Sequence, residues 1–434
     1  MHQRIGRRDF VRIGGGAAVG AALVANSPRR SRAQVTTVSY GTPGGVDEDE
    51  AWIPVFEAFN ESHPDIEAVY MPLGGGYAPQ YLQNLQARIA GGNAPDVFFV
   101  MDGLVAGFAE RNVIVPIDDY LQAGEVQLDD IFEAHLESFS YEDQIWGLPR
   151  DGAPMALFYN AALFDEAGIA YPDETWDWGI FLEAATALTK RDEGGRAVQL
   201  GTGRGEWVNW VWQAGGDILD ASGSTCLLGE PEAIEGLRFA QDLVLEHQVA
   251  PSAEDLADQT ENDMFLAGRL AMFFGARGAL GAICNAEFPF DAAIAPQGPA
   301  RRMTRTNVGP TVLWSGSQNP EAAFELMRFI CSAEGQRLKI EPTGFAFPSR
   351  VSSANEEWFT EFQCGQSAGK GINLAFREEI EQGWVRTWPT HPRWPEISTA
   401  ITEEIDALYQ GNKTPEQTGE DAARKVNEFL AEPA

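Results

Sequence analysis

The chain has 434 residues, of which 64 are acidic and only 31 are basic, so its formal net charge at pH 7 is −33. A surface of this charge repels nucleic acid and anionic membranes, which excludes both as expected partners. The length exceeds that of one typical hydrophobic core, and a hydrophobic content of 44% can supply more than one. Two or three domains are therefore predicted.

The first 33 residues are typical of an export signal. Arg7 and Arg8 precede an apolar segment at 14–25 that is too short to span a bilayer, which needs about 20 residues. The paired arginines predict the twin-arginine route, with cleavage after Ala33; a basic amphipathic helix is the alternative. The mature protein is expected in the periplasm or outside the cell. No cysteine stands directly after the cleavage site, which argues against a lipid anchor on an N-terminal cysteine.

A first α/β set follows in strict alternation. The run 35–40 predicts a half-buried strand, and the Gly-rich loop 41–45 separates it from an amphipathic helix. A second strand at 66–71 and a second helix come next. The continuous apolar run 96–101 then predicts a strand covered on both faces, as in a parallel sheet. This order predicts successive βαβ units.

Two prolines, Pro149 and Pro154, mark the point at which this pattern changes. They cannot both lie inside one regular helix or central strand, and they flank the charged pair Arg150 and Asp151. The apolar run 155–159 that follows predicts a buried strand. A kinked polar segment before a buried strand is expected where the chain leaves one core for another, so we interpret it as a crossing between two lobes.

A second α/β set begins after this crossing. It is predicted from the capped helix after Asp177, the Gly-rich loop 201–205 and a helix opened by Pro231. The apolar run 265–276 predicts a strand that returns to the first lobe, and 343–350 predicts a third crossing. Two helices at the C-terminal end complete the chain.

The two sets are predicted to be interleaved lobes, because no Ser/Pro-rich linker separates them. The predicted N-terminal lobe comprises 34–150 and 273–333, and the predicted C-terminal lobe comprises 151–272 and 334–434. The expected fold is therefore α/β, with two lobes joined by three crossings.

Four cysteines lie in the exported part, at Cys226, Cys284, Cys331 and Cys364. An even number in an exported protein favours disulfides, and four cysteines allow three pairings. We favour Cys226–Cys284 with Cys331–Cys364, because each bond closes the shorter loop; free buried thiols are the alternative. The cysteines show no CxxC spacing, so their arrangement does not indicate a metal site.

Templates for catalysis and metal binding are absent from the sequence. It contains no GxSxG, HExxH or phosphate-loop motif. The loop 201–205 lacks the GxGxxG spacing and is interpreted as a turn. We expect no enzymatic activity, metal or cofactor. An exported glycoside hydrolase stays an alternative, because its two carboxylates are defined by a separation in space.

All twelve tryptophans lie in the exported part, and several follow loop signals. Trp207 and Trp210 come after a Gly-rich turn, while Trp384 and Trp388 lie in a segment punctuated by prolines. An indole face stacks on the C–H face of a pyranose while adjacent polar groups bind its hydroxyls. These residues indicate a carbohydrate site; packing in the core is the alternative.

A series of segments over nearly all of residues 35–430 carries a family resemblance. In order, the segments are FEAFNESHPDIEAVYMPLGGGY, QARIAGGNAPDVFFVMD, IWGLPRDGAPMALFYNAALFDEAGIAYPDETWDW, WVWQAGGDILDASGSTCLLGEPEAIEGL, FLAGRLAMFFGARGAL, NPEAAFELMRFICSAEGQ and GFAFPSR. Each segment is weak evidence alone, but the ordered set is specific. The chain resembles the extracellular solute-binding proteins of family 1, the sugar-binding components of ABC importers related to maltodextrin-binding protein.

The resemblance implies the α/β fold of the type II periplasmic binding proteins, in which three hinge crossings join two lobes and a ligand cleft lies between them. It also implies that the closed form delivers the ligand to a pair of membrane permease subunits. Transport of this kind needs no covalent chemistry, because ligand binding shifts the population from open to closed. We expect a monomer with a carbohydrate ligand. A polyol, glycerophosphodiester or polyamine bound by the same fold is the alternative; an anionic ligand would call for more Arg and Lys around the cleft.

By similarity, the cleft is lined by loops that follow strands and by the first crossing. The candidate ligand-binding residues are Gly41, Gly44, Met101, Asp102, Arg150, Asp151, Glu206, Trp207, Trp210, Arg277, Phe345, Trp384 and Trp388. The carboxylates among them would accept hydrogen bonds from hydroxyls, and the arginines would donate. An Arg150–Asp151 salt bridge without a ligand role is the alternative.

One position departs from the family pattern. Sugar binders of this group often carry an aromatic residue just after the arginine that corresponds to Arg277, where this chain has Gly278. The stacking platform is then missing or is supplied elsewhere, by Trp384 or Trp388. This departure leaves the identity and the size of the ligand open.

Overall fold

The computed structural model describes residues 35–77, 79–124, 126–344, 346–367 and 371–432. The predicted signal segment and the candidate Phe345 lie outside these ranges. Strands are β1 (Thr36–Thr42), β2 (Ile66–Pro72), β3 (Val97–Phe99), β4 (Ser140–Tyr141), β5 (Gln144–Ile145), β6 (Gly147–Asn160), β7 (Lys190–Arg191), β8 (Ala197–Gln199), β9 (Met272–Ala276), β10 (Phe290–Ala293), β11 (Thr304–Leu313) and β12 (Val385–Arg386). Helices are α1 (Val46–Ser62), α2 (Pro79–Ala90), α3 (Val105–Glu110), α4 (Asp118–Ala123), α5 (Glu133–Glu137), α6 (Ala161–Ala167), α7 (Trp178–Leu188), α8 (Trp207–Ala214), α9 (Pro231–Leu245), α10 (Glu261–Leu266), α11 (Leu280–Ile283), α12 (Pro320–Ile330), α13 (Ala333–Ile340), α14 (Val351–Ala354), α15 (Glu357–Thr360), α16 (Asn373–Glu381), α17 (Trp394–Tyr409) and α18 (Pro415–Ala431).

The first α/β set forms as the sequence predicts. β1 pairs in parallel with β2 along its whole length and with β3 on its other side. The carboxyl ends of these strands therefore meet at one edge of the sheet, where ligands bind in open α/β folds. The loop 43–45 and the segment Met101–Asp102 follow strands at this edge.

The main path of the sheet has the order β10-β6-β11-β3-β1-β2, with β9 beside β6 and β12 beside β11. Its long members are β6 and β11, which are antiparallel to each other. The first half of β6 pairs with β11, and its second half pairs with β9 and β10. One sheet thus connects the two α/β sets, and β6 belongs to both parts of it.

The expectation that Pro149 and Pro154 would interrupt a central strand is wrong, because both lie within β6. Pro149 faces Pro310 of β11, and Pro154 faces Thr306. The register of the two strands shifts between Val308 and Pro310. Facing prolines and an irregular register let the strand continue where N–H donors are missing from the ladder.

The apolar run 265–276 divides between the end of α10 and β9 rather than forming one strand. β9 is antiparallel to residues 155–159 of β6. Gly152 exchanges two backbone hydrogen bonds of 2.7 Å with Phe347, so the segment after 346 also runs beside β6. The predicted limits of the two lobes stay a prediction.

Amphipathic helices cover the sheet as their spacing predicts. In α7, the inner stripe of Phe181, Ala184, Ala185 and Leu188 is buried, and Asp177 caps the helix by accepting from the backbone N–H of Ile180 at 2.9 Å. Because each apolar face packs on the sheet or on a neighbouring helix, the described residues form several dense hydrophobic clusters. None of the described helices has the length and hydropathy that crossing a membrane requires.

The favoured disulfide pairings are wrong. Cys284 and Cys364 form a disulfide, with 5.1 Å between their Cα atoms, and Cys226 and Cys331 are buried free thiols. Cys226 belongs to the cluster around α8 and α9, whereas Cys331 ends α12 in the cluster around β1. Short separation along the chain did not predict the disulfide, because the fold places cysteines that are close in sequence in different hydrophobic clusters.

Candidate functional site

Two adjoining cavities open beside β6 and β11. The first has a volume of about 330 Å³ and the second about 720 Å³. Tyr77, Met101, Asp102 and Asn307 line both of them, so we treat the two as one groove. Both volumes lie in the usual range for small-molecule sites.

Arg150 lines the first cavity and is fixed by the protein. It is only 1% exposed. Its Nη1 donates to Glu48 Oε1 at 2.9 Å, and its Nη2 donates to the Tyr77 hydroxyl at 2.7 Å. The guanidinium carbon lies 4.3 Å from the ring centroid of Phe99. The arginine is therefore held rigidly at the cavity wall by an anion and an aromatic face.

Asp151 lies between two cations. Its Oδ2 accepts a hydrogen bond from the buried Lys339 and is 3.3 Å from Arg150 Nε. Burial opposes ionisation, but Lys339 and Arg150 hold the pKa of Asp151 below its ordinary value. Together with Glu48, these residues form a buried ion cluster of two anions and two cations. The cluster supports the alternative in which Arg150 and Asp151 mainly stabilise each other.

Aromatic side chains and a charge pair form the wall of the second cavity. The rings of Trp207 and Trp388 are 6.3 Å apart at an angle of 33°. Arg305, on β11, has its guanidinium 5.0 Å from the Trp388 ring centroid and donates to Glu206 Oε1 at 3.0 Å. Arg305 also donates to the side chain of Asn307. The wall combines apolar faces with donors and acceptors.

Asp102 lines both cavities and lacks a protein partner on one oxygen. Its Oδ2 is buried and accepts no hydrogen bond within the described ranges. Burial raises the pKa of Asp102 to about 6, although the positive charge of Arg305 opposes the rise. A buried, unpaired carboxylate oxygen costs free energy until a donor reaches it. A ligand hydroxyl would supply that donor.

The structure brings together about half of the predicted site residues. Those that line the groove are Met101, Asp102, Arg150, Asp151, Glu206, Trp207 and Trp388. Among the described candidates, those absent from its lining are Gly41, Gly44, Trp210, Arg277 and Trp384. A Cβ at Gly41 would approach Pro95 to 2.5 Å, and Gly44 has a positive φ of 73°, so close packing accounts for Gly41 and backbone conformation for Gly44.

Three large candidates have structural partners instead. Trp210 is fully buried, because residues 207–214 form a helix where we expected a loop, and its indole N–H donates to the Arg204 carbonyl at 2.9 Å. Arg277 is buried, donates to Asn373 Oδ1 at 2.7 Å, and has its pKa lowered to about 9 by burial. Trp384 lies against the guanidinium of Arg302.

Sequence reasoning missed Tyr77 and Arg305. Tyr77 follows three glycines, 74–76, that all have positive φ, and this loop at the end of a strand was the available signal. Arg305 lies in β11, whose sequence TRTNVGPTVL mixes polar and apolar residues and was not recognised as a strand. Within the described ranges, no cluster of His, Cys, Asp or Glu could hold a metal ion.

Known proteins resemble this chain in both sequence and structure. A family model for bacterial extracellular solute-binding proteins matches residues 43–337. The sn-glycerol-3-phosphate-binding periplasmic protein UgpB of Pectobacterium atrosepticum is 22% identical over 410 residues, which cover 86% of each chain.

Solved structures show the same fold. An ABC substrate-binding protein of Listeria monocytogenes in complex with cycloalternan has a TM-score of 0.79 at 23% identity and covers 92% of this chain and 100% of its own. A solute-binding protein of Thermotoga lettingae bound with α-D-tagatose has a TM-score of 0.75 at 24% identity, with 91% and 100% coverage. The predicted α/β fold of the type II periplasmic binding proteins is confirmed. The chain belongs to the bacterial extracellular solute-binding protein family.

Proposed function

We propose that this protein is the substrate-binding component of an ABC importer and that it captures a sugar or oligosaccharide in the groove. Membership of the solute-binding family supports small-molecule capture and delivery to a membrane permease. The observation that carries the carbohydrate assignment is the pairing of the Trp207–Trp388 wall with the open oxygen of Asp102. An aromatic face and a nearby acceptor match the two faces of a pyranose.

The charge of the groove supports a neutral ligand over an anionic one. The related UgpB is named as an sn-glycerol-3-phosphate-binding protein, so sn-glycerol-3-phosphate is a concrete ligand for the non-sugar alternative. A phosphate binds best to cations whose charge is not already offset by a carboxylate. Within the described ranges, the cations lining the groove are Arg150 and Arg305, which pair with Glu48 and Glu206. Asp102 adds a further negative charge when ionised.

Closure about a hinge is part of the proposal. Strand pairing supports crossings in β6, in β11 and in the segment after 346, because these segments run beside one another. The strand pairing also favours β11, rather than the segment before residue 273, as the place where the chain returns to the first lobe. The reason is that β9 pairs with the second half of β6. We further propose export by the twin-arginine route, no lipid anchor and action as a monomer without a nucleic-acid partner.

Thermal denaturation with a panel of mono- and oligosaccharides, and with sn-glycerol-3-phosphate, tests the proposal. A ligand at 100 times its dissociation constant should stabilise the protein by about 2.7 kcal/mol. Stabilisation by sn-glycerol-3-phosphate but by no carbohydrate would favour the alternative. Product analysis after incubation with oligosaccharides tests for a glycoside hydrolase, and release of shorter sugars would contradict the binding function.

Replacing Trp207 with alanine is expected to weaken carbohydrate binding about tenfold while the protein stays folded. The substitution removes an aromatic face from the groove wall, a loss of about 1.4 kcal/mol. Titration calorimetry and circular dichroism measure the two effects. Trp210→Phe is the matched control: Trp210 is buried in the core, so this variant should lose stability and keep its affinity. Equal affinities for Trp207→Ala and the parent would remove Trp207 from the site.

Carbohydrate affinity is expected to fall as the pH drops below about 6. Burial gives Asp102 a pKa of about 6 in the unliganded protein. A ligand hydroxyl that donates to the carboxylate binds the charged form, so affinity is highest above this pKa and falls about tenfold for each pH unit well below it. Titrations from neutral pH to about pH 5 measure the profile. Asp102→Asn should remove this fall in affinity at low pH. If the variant and the parent protein have the same pH profile, Asp102 does not contact the ligand.

A further inference from the structure

A third cavity of about 300 Å³ adjoins the second one, and we call it the rear cavity. Glu206 and Trp207 line both cavities and so form a shared wall. Arg204, Glu261 and Tyr409 bring polar groups to the rear cavity, and Met155, Leu256 and Phe274 supply apolar surface. The Gly-rich loop that the sequence analysis interpreted as a simple turn thus contributes to a cavity.

Two donors in the rear cavity lack protein partners. Arg204 is anchored by Nε, which donates to the Pro251 carbonyl at 2.7 Å, and its guanidinium lies 4.7 Å from the ring centroid of Tyr409. Arg204 Nη2 and the Tyr409 hydroxyl are buried and make no hydrogen bond in the part of the chain that the structure describes. Unpaired buried donors are uncommon in native proteins and call for an explanation.

An acceptor lies next to these donors. Glu261 Oε1 accepts from the Arg204 backbone N–H at 2.6 Å. Burial raises the pKa of Glu261 to about 7, with Arg204 opposing the rise, so the carboxyl group can both accept and donate near neutral pH. The rear cavity therefore offers donors and acceptors beside apolar surface.

This combination selects one ligand chemistry. The guanidinium of Arg204 disfavours a metal cation, while Glu206 and Glu261 disfavour an anion. A wholly apolar ligand would leave the buried donors unpaired. A neutral molecule with several hydroxyl groups satisfies the donors and the acceptor and can lie against Phe274 or Trp207.

We infer that the rear cavity binds an additional ring of a neutral oligosaccharide whose other rings lie in the groove. Because Glu206 and Trp207 line both cavities, the two adjoin, and an oligosaccharide in the groove would reach the rear cavity beside these residues. The ligand class is therefore an oligosaccharide rather than a monosaccharide. This inference rests on the proposed function and extends it.

Tyr409→Phe tests the inference with the least disturbance of the fold. Calorimetry would compare maltose, maltotriose, maltotetraose, mannobiose and mannotriose as probes. In the parent protein, affinity should rise with chain length. Tyr409→Phe should lose about three- to tenfold for the longest sugar that binds, the effect of one hydrogen bond, and nothing for the disaccharide. Because the hydroxyl has no protein partner, thermal stability should not fall, whereas loss of a structural contact would lower it.

A second variant and a control complete the test. Leu256→Trp would fill the rear cavity and should remove the affinity gained with chain length. Tyr171→Phe, which deletes a hydroxyl bonded to Asp165 away from all three cavities, should change no affinity. Affinity that is independent of chain length, or a gain that survives Leu256→Trp and Tyr409→Phe, would overturn the inference and leave the proposed function intact. Absence of binding by every carbohydrate would overturn both.

Discussion

Replacing Arg150 with methionine is expected to lower the free energy of unfolding by about 3 to 5 kcal/mol, as when one partner is removed from a buried ion pair. Arg150 is almost fully buried and faces the carboxylates of Glu48 and Asp151. Lys339 would still compensate Asp151, but Glu48 would keep its charge without the arginine. Urea denaturation followed by fluorescence and circular dichroism measures the loss.

A surface pair and a double variant serve as controls for Arg150. Arg328→Met removes one partner of an exposed pair with Glu325, 2.6 Å apart, and should cost less than about 1 kcal/mol. Arg150→Met combined with Glu48→Gln removes both opposite charges and should recover part of the stability. Equal small losses for Arg150→Met and Arg328→Met would contradict the structural role of the ion cluster.

The position of this cluster also bears on ligand binding. Tyr77 accepts a hydrogen bond from Arg150 and lines both cavities of the groove, so loss of the arginine would leave the Tyr77 hydroxyl held by its 3.2 Å hydrogen bond to Glu48 Oε1. Arg150→Met should therefore reduce affinity as well as stability, even if the guanidinium never contacts the ligand. Tyr77→Phe removes the tyrosine hydroxyl but keeps the ion cluster. Comparing the two variants therefore separates the affinity lost through Tyr77 from the affinity lost through the cluster.

The sequence predicted those parts of the fold that depend on local periodicity. Alternating residues marked β1, a continuous apolar run marked β3, and the spacing of Phe181 and Leu188 marked the buried face of α7. These patterns report which face of an element is buried, and burial dominates the stability of a helix or strand in a protein. Proline-rich β6 escaped this reasoning, because the partner that tolerates Pro149 is Pro310, more than 150 residues away.

The site was only partly predictable for a related reason. Met101 and Asp102, which the family resemblance implied and which follow a strand, line the groove. The sequence could not show which of Trp207 and Trp210 reaches the ligand. The two residues lie one turn apart in α8, and only the packing of this helix places Trp207 at the groove and Trp210 in the core. Arg305 carries no sequence signal of its role; only the pairing of β11 with β6 brings it to the cavity wall.

Removal of the Cys284–Cys364 disulfide is expected to destabilise the protein by about 4 kcal/mol. The bond closes a loop with a sequence separation of 80, and a cross-link over a loop of that length restricts the unfolded chain strongly. The loop includes β11 and α12, which contribute to the cluster around β1, whereas both cysteines pack against a different hydrophobic cluster. Urea denaturation of Cys284→Ser/Cys364→Ser, with and without reductant, measures the effect.

Reductant and thiol counting distinguish this connectivity from its alternatives. Dithiothreitol should destabilise the parent protein and Cys226→Ser/Cys331→Ser but leave Cys284→Ser/Cys364→Ser unchanged. Denatured, unreduced parent protein should carry two reactive thiols, those of Cys226 and Cys331. Detection of no thiol would instead indicate two disulfides, and detection of four would show that the protein folds without any. Because Cys226 and Cys331 lie in separate hydrophobic clusters, they should stay unreactive until the protein unfolds.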